Sequence, residues 1–358
     1  MFLMLLLIAG AITVLLVRNL FVATMVLGIV SFTMALIFIS LDAVDVAFTE
    51  SAVGAGISTV LYIGTLALVG AGEKGRLKFA PVPLLVSAAV GAILIFASFE
   101  MPPVGGADNP VQTHVAPRYV QETPTEIGVP NMVAAVLASY RGYDTFGEVT
   151  VIFTAGIAVI MILRQQRRRH NARDDADLFL RDGLGPSITG LGSVQDIVPN
   201  IIAKLLIPFI LVFALYVQFH GDFGPGGGFQ AGVIFAAAFI LYALVFGLER
   251  SRQIVSETTI LFLIALGVLI YGGTGVAGML LGVNFLDYNV LASDPIAGQH
   301  LGILLVELGV GITVTAAMLA IFYAFVGRVD LLIDQQRAAR GRVPQDPSPE
   351  PRTEGEKQ

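Results

Sequence analysis

The sequence predicts an all-α, polytopic membrane protein of about nine transmembrane helices, on three observations. Of its 358 residues, 55% are apolar and 13% charged, where a soluble domain carries about a quarter charged residues. Apolar runs recur along the chain, most of them near the roughly 20 residues that a helix needs to cross a bilayer. Lys and Arg collect in alternate loops between those runs, which is the bias of cytoplasmic loops.

Taken in order, the runs that read as helices are approximately Met1–Val17, Leu20–Leu41, Asp45–Val69, Val82–Phe99, Thr145–Leu163, Ile201–Phe219, Phe229–Leu248, Thr258–Leu281 and Leu301–Val326. The first resembles a signal-peptide core, but no basic residue precedes it and no small-residue cleavage site follows, so it reads as a membrane helix. Met101–Pro130 holds six of the 17 prolines and few large apolar residues, and reads as an irregular external loop. Pro130–Tyr140 is too short to span and reads as an interfacial or partly inserted helix. The basic loops are Lys74–Lys78, Arg164–Arg173, Arg250–Arg252 and Arg328–Arg342. Their alternation predicts an external N-terminus and a cytoplasmic C-terminus. The opposite loops carry Asp42 and Asp45, the proline-rich segment, His220–Asp222 and Asp287–His300.

This pattern divides the chain into a four-span unit (1–100), the external loop (101–130), a short helix plus one span (131–165), a cytoplasmic connector (166–200), a second four-span unit (201–327) and a tail (328–358). From Val343 the tail is proline-rich and polar, a composition that predicts disorder.

The stretch His220–Glu249 is the most distinctive. A turn built on Pro225, Gly226, Gly227 and Gly228 runs directly into about twenty apolar residues. Ordering three consecutive glycines costs much backbone entropy, so such a run is kept where the chain needs unusual dihedrals or a close approach. Phe229 and Gln230 complete the motif. A headgroup-level turn with a small-residue packing face is the structural alternative.

Ionisable groups at membrane depth are costly, which makes each a functional candidate. Glu307 is the clearest, roughly 10 Å along a helix from His300 and on about the same face. It is either a carboxyl that binds or relays a proton or sodium ion, or a glutamic acid hydrogen-bonded to a neighbouring backbone or Thr group. Glu50 lies about 7 Å inside its helix, leading into Gly54 and Gly56, where a π-bulge would mark a hinge. Asp42 and Asp45 read as solvated caps. Glu148 fits a capping box with Thr145, and Arg141 pairs with Asp144 at three-residue spacing. Lys204 snorkels from the end of its span. Gly272, Gly273, Gly275, Gly278 and Gly282 suggest a small-residue packing face, with a broken, ion-coordinating helix as the alternative.

The sequence contains no cysteine and no tryptophan. It therefore carries no disulfide, iron–sulfur ligation or cysteine zinc site. The four histidines (His114, His170, His220, His300) show no ligand spacing. No cofactor and no nucleic-acid partner is expected, and the only metal contact expected is transient sodium. No lysine sits deep in a span and no matched pair of proline-broken helices is present, so the chain reads as a partner in a larger assembly rather than a self-sufficient pump.

Two stretches carry a family resemblance. GDFGPGGGFQAGVIFAAAFILYALVFG with HLGILLVELGVGITVTAAML resembles the B subunit of the Mrp-type multisubunit sodium/proton antiporters, over roughly residues 200–327. Upstream, DAVDVAFTESAVGAGISTVLYIGTLAL is similar to the module that follows the antiporter-like core in the large A-type chain of those complexes, and that exists as a separate protein in membrane-bound hydrogenases. PNMVAAVLASYRGYDTFGEVTVIFTAGIAVIMIL is similar to the short module after it. The chain thus resembles a B-type chain fused to the C-terminal modules of an A-type chain. The first five spans are similar to the small complex I subunit that holds a bulged helix beside the ion path.

The resemblance implies a non-enzymatic transporter subunit of the cell membrane, partnered by large antiporter-like subunits, small membrane subunits and the lipid bilayer. It makes Glu50, Glu148 and Glu307, with His300, the candidates for the ion path. His220-Gly-Asp-Phe-Gly departs from the shorter Asn- or Ala-containing linker expected before the Pro-Gly run. Two other functions remain open at this level: a membrane-arm subunit of a redox-driven complex, and a scaffold whose carboxyls only pack.

Overall fold

A computed structural model describes residues 1–70, 72, 81–169 and 197–340. The basic stretch Lys74–Lys78, most of the connector and the polar tail from Val343 lie outside those residues. Among the described residues there is no strand, only helices and one isolated bridge between Asn19 and Gly72.

The order is α1 (Phe2–Leu16), α2 (Leu20–Ser40), α3 (Val44–Glu50), a π segment π1 (Ser51–Ile57), α4 (Ser58–Val69), α5 (Pro81–Ser98), α6 (Pro110–Thr113), α7 (Val115–Glu126), α8 (Met132–Ala134), a second π segment π2 (Ala135–Tyr140), α9 (Gly142–Arg169), α10 (Ile197–His220), α11 (Gly228–Phe246), α12 (Leu248–Ile254), α13 (Glu257–Leu280) and α14 (Pro295–Arg340). Side-chain caps start several of these helices, as expected where the first N–H groups lack partners. Asn19 accepts from Phe21 N at 2.9 Å, Asn131 from Val133 N at 3.0 Å, and Ser256 from Thr259 N at 3.1 Å.

Helix α14 is the hub. It packs against α13, α11 and α9, and also against α4 and π2 from the first half of the chain. It is the most enclosed of the spans, whereas α5 has no buried residue and presents its whole apolar surface outward. Small residues let the central backbones approach closely. A Cβ on Gly309 would stand 2.7 Å from Gly267 O, and one on Gly232 would stand 2.7 Å from Gly311 O. The first contact fixes the α13–α14 crossing and the second the α11–α14 crossing. Thr315 Oγ1 adds a bond across the latter, donating to Gly232 O at 3.1 Å.

Among the described residues, eight helices are long and apolar enough to cross a membrane. The first apolar run, expected as a ninth span, forms a 15-residue helix packed on α2. The anticipated bulge near Glu50 is present as π1. The proline-rich segment is not irregular throughout, because it contains α6 and α7. Pro110 opens α6 and Pro117 lies in the first turn of α7, where a helix has no use for the missing N–H. Thr145 and Glu148 form no capping box. Helix α9 begins earlier, at Gly142, and Thr145 Oγ1 donates to Leu137 O at 2.8 Å. Arg141 and Asp144 do pair, at 2.6 Å. Lys204 is exposed, with its ammonium 5.8 Å from the Phe246 ring centroid. The last helix does not stop at Val326 but continues to Arg340, through residues expected as tail.

Helix α13 is unbroken, so its glycines do not form a broken, coordinating helix. Gly272 abuts Phe146, and Gly275 abuts Phe285 from the loop that follows. The tight backbone crossing lies one to two turns earlier, at Gly267. Gly309→Leu is expected to wedge α13 from α14 and to destabilise the fold by about 2 kcal/mol or more. The check is thermal unfolding in detergent; an unchanged midpoint would contradict the crossing.

Candidate functional site

Four separate parts of the sequence meet where α14 enters the bundle. The turn between α10 and α11 lies at the centre. Gly227 holds φ +117, a conformation open to glycine at little cost, and its N–H donates to Val217 O at 3.0 Å. A Cβ on Gly227 would stand 3.0 Å from Glu307 Oε1, one on Gly221 2.9 Å from Glu307 Oε2, and one on Gly228 would overlap Glu307 O. The glycine turn is therefore seated on the side chain and backbone of Glu307. Any larger residue at these three positions would displace the carboxylate or the helix that carries it.

Glu307 is partly buried, and its carboxylate accepts no hydrogen bond among the described residues. The negative charges acting on it are Asp222, in the same turn, and Asp45, at the start of α3. Two helical turns before Glu307, His300 Nδ1 lies 3.2 Å from Asp222 Oδ2. The expected common face of His300 and Glu307 is thus observed: both look onto the turn, one at its acid and the other at its glycines.

The first half of the chain closes the site. Gly226 N–H donates to Asp45 Oδ1 at 3.2 Å, and Gln230 Nε2 donates to Thr49 Oγ1 at 2.8 Å. Asp45 is therefore not a merely solvated cap; it holds the turn. The motif residues divide by role. Gly226 to Gly228 permit close approach, Gln230 reaches α3, and Phe229 packs against the apolar core. Asn131, just before α8, donates both side-chain N–H groups to Gly221 O (2.8 Å) and Gly224 O (2.9 Å).

The other two predicted carboxyls lie elsewhere. Glu50 ends α3, and its Oε1 rests beside Gly54 of π1 and Ser31 of α2, where a Cβ on Gly54 would collide with both side chains. It follows Thr49 in sequence but faces a different neighbour. Glu148 is exposed on α9, and its charge reaches Tyr271. Among the described residues no three His, Asp or Glu side chains are grouped to hold a metal ion.

Sequence reasoning missed Asp222, Asp45 and Asn131. Asp45 was visible as a helix-start acid and Asp222 as part of an unusual His-Gly-Asp-Phe-Gly turn, yet neither could be tied to Glu307 without the fold. No linear signal pairs residue 131 with residues 221 and 224. The loops assigned to one side by the charge alternation do meet: Asp45, Asn131, Asp222 and His300 share one end of the bundle.

Comparison with known proteins finds three family models along the chain. Residues 198–320 match a family model described as a domain related to the MnhB subunit of Na+/H+ antiporter. Residues 5–71 match the MbhD family of MBH proteins, and residues 82–177 match the MbhE family. A protein of Rhizobium meliloti assigned as an A/B-type K+/H+ antiporter subunit is 26% identical over 67% of this chain. The chain spans 24% of the length of that relative. A Staphylococcus aureus protein assigned as the antiporter subunit mnhB2 is 35% identical over 37% of this chain and 96% of its own length. A chain of the Mrp complex of Dietzia sp. superposes with a TM-score of 0.71 at 27% identity, over 90% of this chain and 34% of that one. The protein is a multi-pass membrane protein, and with nearly the whole of a B-type subunit covered at 35% identity, the chain belongs to the family related to the MnhB subunit of Na+/H+ antiporters.

Proposed function

We propose that this chain is a membrane subunit of a multisubunit monovalent cation/proton antiporter of the cell membrane, and that it contributes part of the ion path as well as packing the large antiporter-like subunits. The observation that carries the ion-path reading is the state of Glu307: a carboxylate within a span, walled by glycine Cα atoms and given no hydrogen-bond donor among the described residues. A carboxyl that served only to fasten helices would be expected to hold a hydrogen-bond partner across them, and this one holds none among the described residues. A carboxylate takes either a proton or a monovalent cation, so one group can serve both legs of exchange.

In this reading the Asp222–His300 pair exchanges protons with the external side and passes them to Glu307, two turns deeper. Glu50, at the head of π1, serves a neighbouring segment of the path. Glu148, exposed on α9, is completed by a neighbouring protein of the complex. In this reading the C-terminus is cytoplasmic, an orientation that the basic loops support. Sodium is the ion of the matched family description, and potassium that of the Rhizobium relative.

The matches to the MbhD and MbhE families favour a second reading, in which the same spans belong to the membrane arm of a redox-driven complex. Iron content of the purified assembly separates the two, since this chain has no cysteine to ligate a cluster.

The test is cation and proton flux in vesicles carrying the whole complex. Glu307→Gln is expected to lower exchange at least about tenfold, a barrier rise of about 1.4 kcal/mol, with the complex still assembled. Unchanged exchange would assign Glu307 to packing. Gly227→Ala forces a side chain into a left-handed backbone, a cost of about 1–3 kcal/mol, and crowds the carboxylate. It is expected to slow exchange while Gly247→Ala, at a positive-φ glycine with nothing close to its Cβ position, leaves the rate unchanged.

A further inference from the structure

Asn131 has a bonding pattern that only an asparagine completes. It is 9% exposed. Its carboxamide donates twice, to Gly221 O at 2.8 Å and Gly224 O at 2.9 Å. Its Oδ1 accepts from Val133 N at 3.0 Å, and its main-chain N–H donates to Asp222 O at 2.9 Å. Two donors and one acceptor on a short side chain are what a carboxamide offers, and aspartate offers acceptors only.

These bonds draw the carbonyls of residues 221, 222 and 224 to one side of the turn. The Asp222 carboxylate lies against His300, and the Cα atoms of Gly221 and Gly227 lie against Glu307. Asn131 belongs to the segment matched to the MbhE family, whereas the turn and α14 belong to the MnhB-related segment. At the 221–224 carbonyls the two segments are joined by Asn131, through its side chain and its main-chain N–H. Asp45 makes a second link to the turn, through Gly226, but does not touch the 221–224 carbonyls.

We propose that Asn131 is a positioning residue of the ion site: it presents Asp222 to His300 and seats the glycine turn on Glu307, so the preceding segment sets the geometry of the site. This rests on the ion-path reading above. The ionisable groups around the turn are Glu307 on α14, on which the charges of Asp222 and of Asp45 on α3 act, and His220 beside Gly224.

The experiment uses the complete complex in vesicles, with two readouts: amide hydrogen exchange over residues 223–227 and the pH profile of cation/proton exchange. Asn131→Asp keeps the size and the cap acceptor but removes both donors. It is expected to raise amide exchange across the turn at least about tenfold and to shift the pH profile in the same direction as Asp222→Asn. The double variant is expected to lose less than the product of the two single losses, since residues acting through one another are non-additive. If Asn131→Asp fails to assemble, Asn131→Ser, which keeps the cap acceptor and one donor, carries the same readouts. Unchanged amide protection overturns the proposal. Lost protection with an unshifted profile also overturns it, because Asn131 would then be a fastening of the loop and nothing more. Multiplicative loss in the double variant overturns it as well. Failure of the ion-path reading is seen separately, as full exchange in Glu307→Gln.

Discussion

The fit between a glycine turn and one carboxylate-bearing helix is the constraint on which the rest of this structure depends. Gly221, Gly227 and Gly228 lie so close to Glu307 that none can carry a side chain without moving it. That contact brings α10 and α11 against α14. It also places Asp222 beside His300 and leaves the Gly226 amide free to reach Asp45. Membrane helices gain little from the hydrophobic effect against one another, because lipid is as apolar as they are. Close backbone packing and a few polar bonds must then fix their arrangement. Here both are concentrated at one end of the bundle.

The two π segments show the same economy. A π turn widens the helix and misaligns some backbone groups, and such segments gather at functional places. In π1 the widened stretch follows Glu50 directly and faces Ser31 of α2 through Gly54. In π2 the released carbonyls are taken up by side chains: Tyr288 OH donates to Ala138 O at 2.9 Å and Thr145 Oγ1 to Leu137 O at 2.8 Å. Burial pushes the Tyr288 phenol well above its ordinary value, so it remains a donor. Ser139 continues the link, donating to Gln299 Oε1 at 2.7 Å, next to His300. The second π segment is therefore bound to the start of the same helix that carries Glu307.

Much of the fold could be read directly. The long apolar runs became helices, several of them extending beyond their expected ends, because hydropathy and the bilayer thickness act on each run separately. The irregularity at Gly54 and Gly56 was legible for a similar local reason, as was the Arg141–Asp144 pair. The errors also have local causes. Prolines in 101–130 suggested loop, but in first turns they are compatible with a helix. The Thr145–Glu148 spacing suggested a cap, but the helix starts three residues earlier. The glycines of α13 suggested where helices cross, yet that crossing lies at Gly267, whose partner Gly309 is 42 positions away.

By itself the sequence determined the class, the order of the spans, the presence of a glycine turn and the presence of a carboxyl at membrane depth. Each of these follows from residues adjacent in the chain. Only the tertiary structure decided that the turn and the carboxyl are one site, that Asp45 and Asn131 belong to it, and that Glu50 and Glu148 stand apart from it. Those facts depend on which helix faces meet. Facing is set by backbone approach between segments up to about 180 residues apart, which no local pattern encodes.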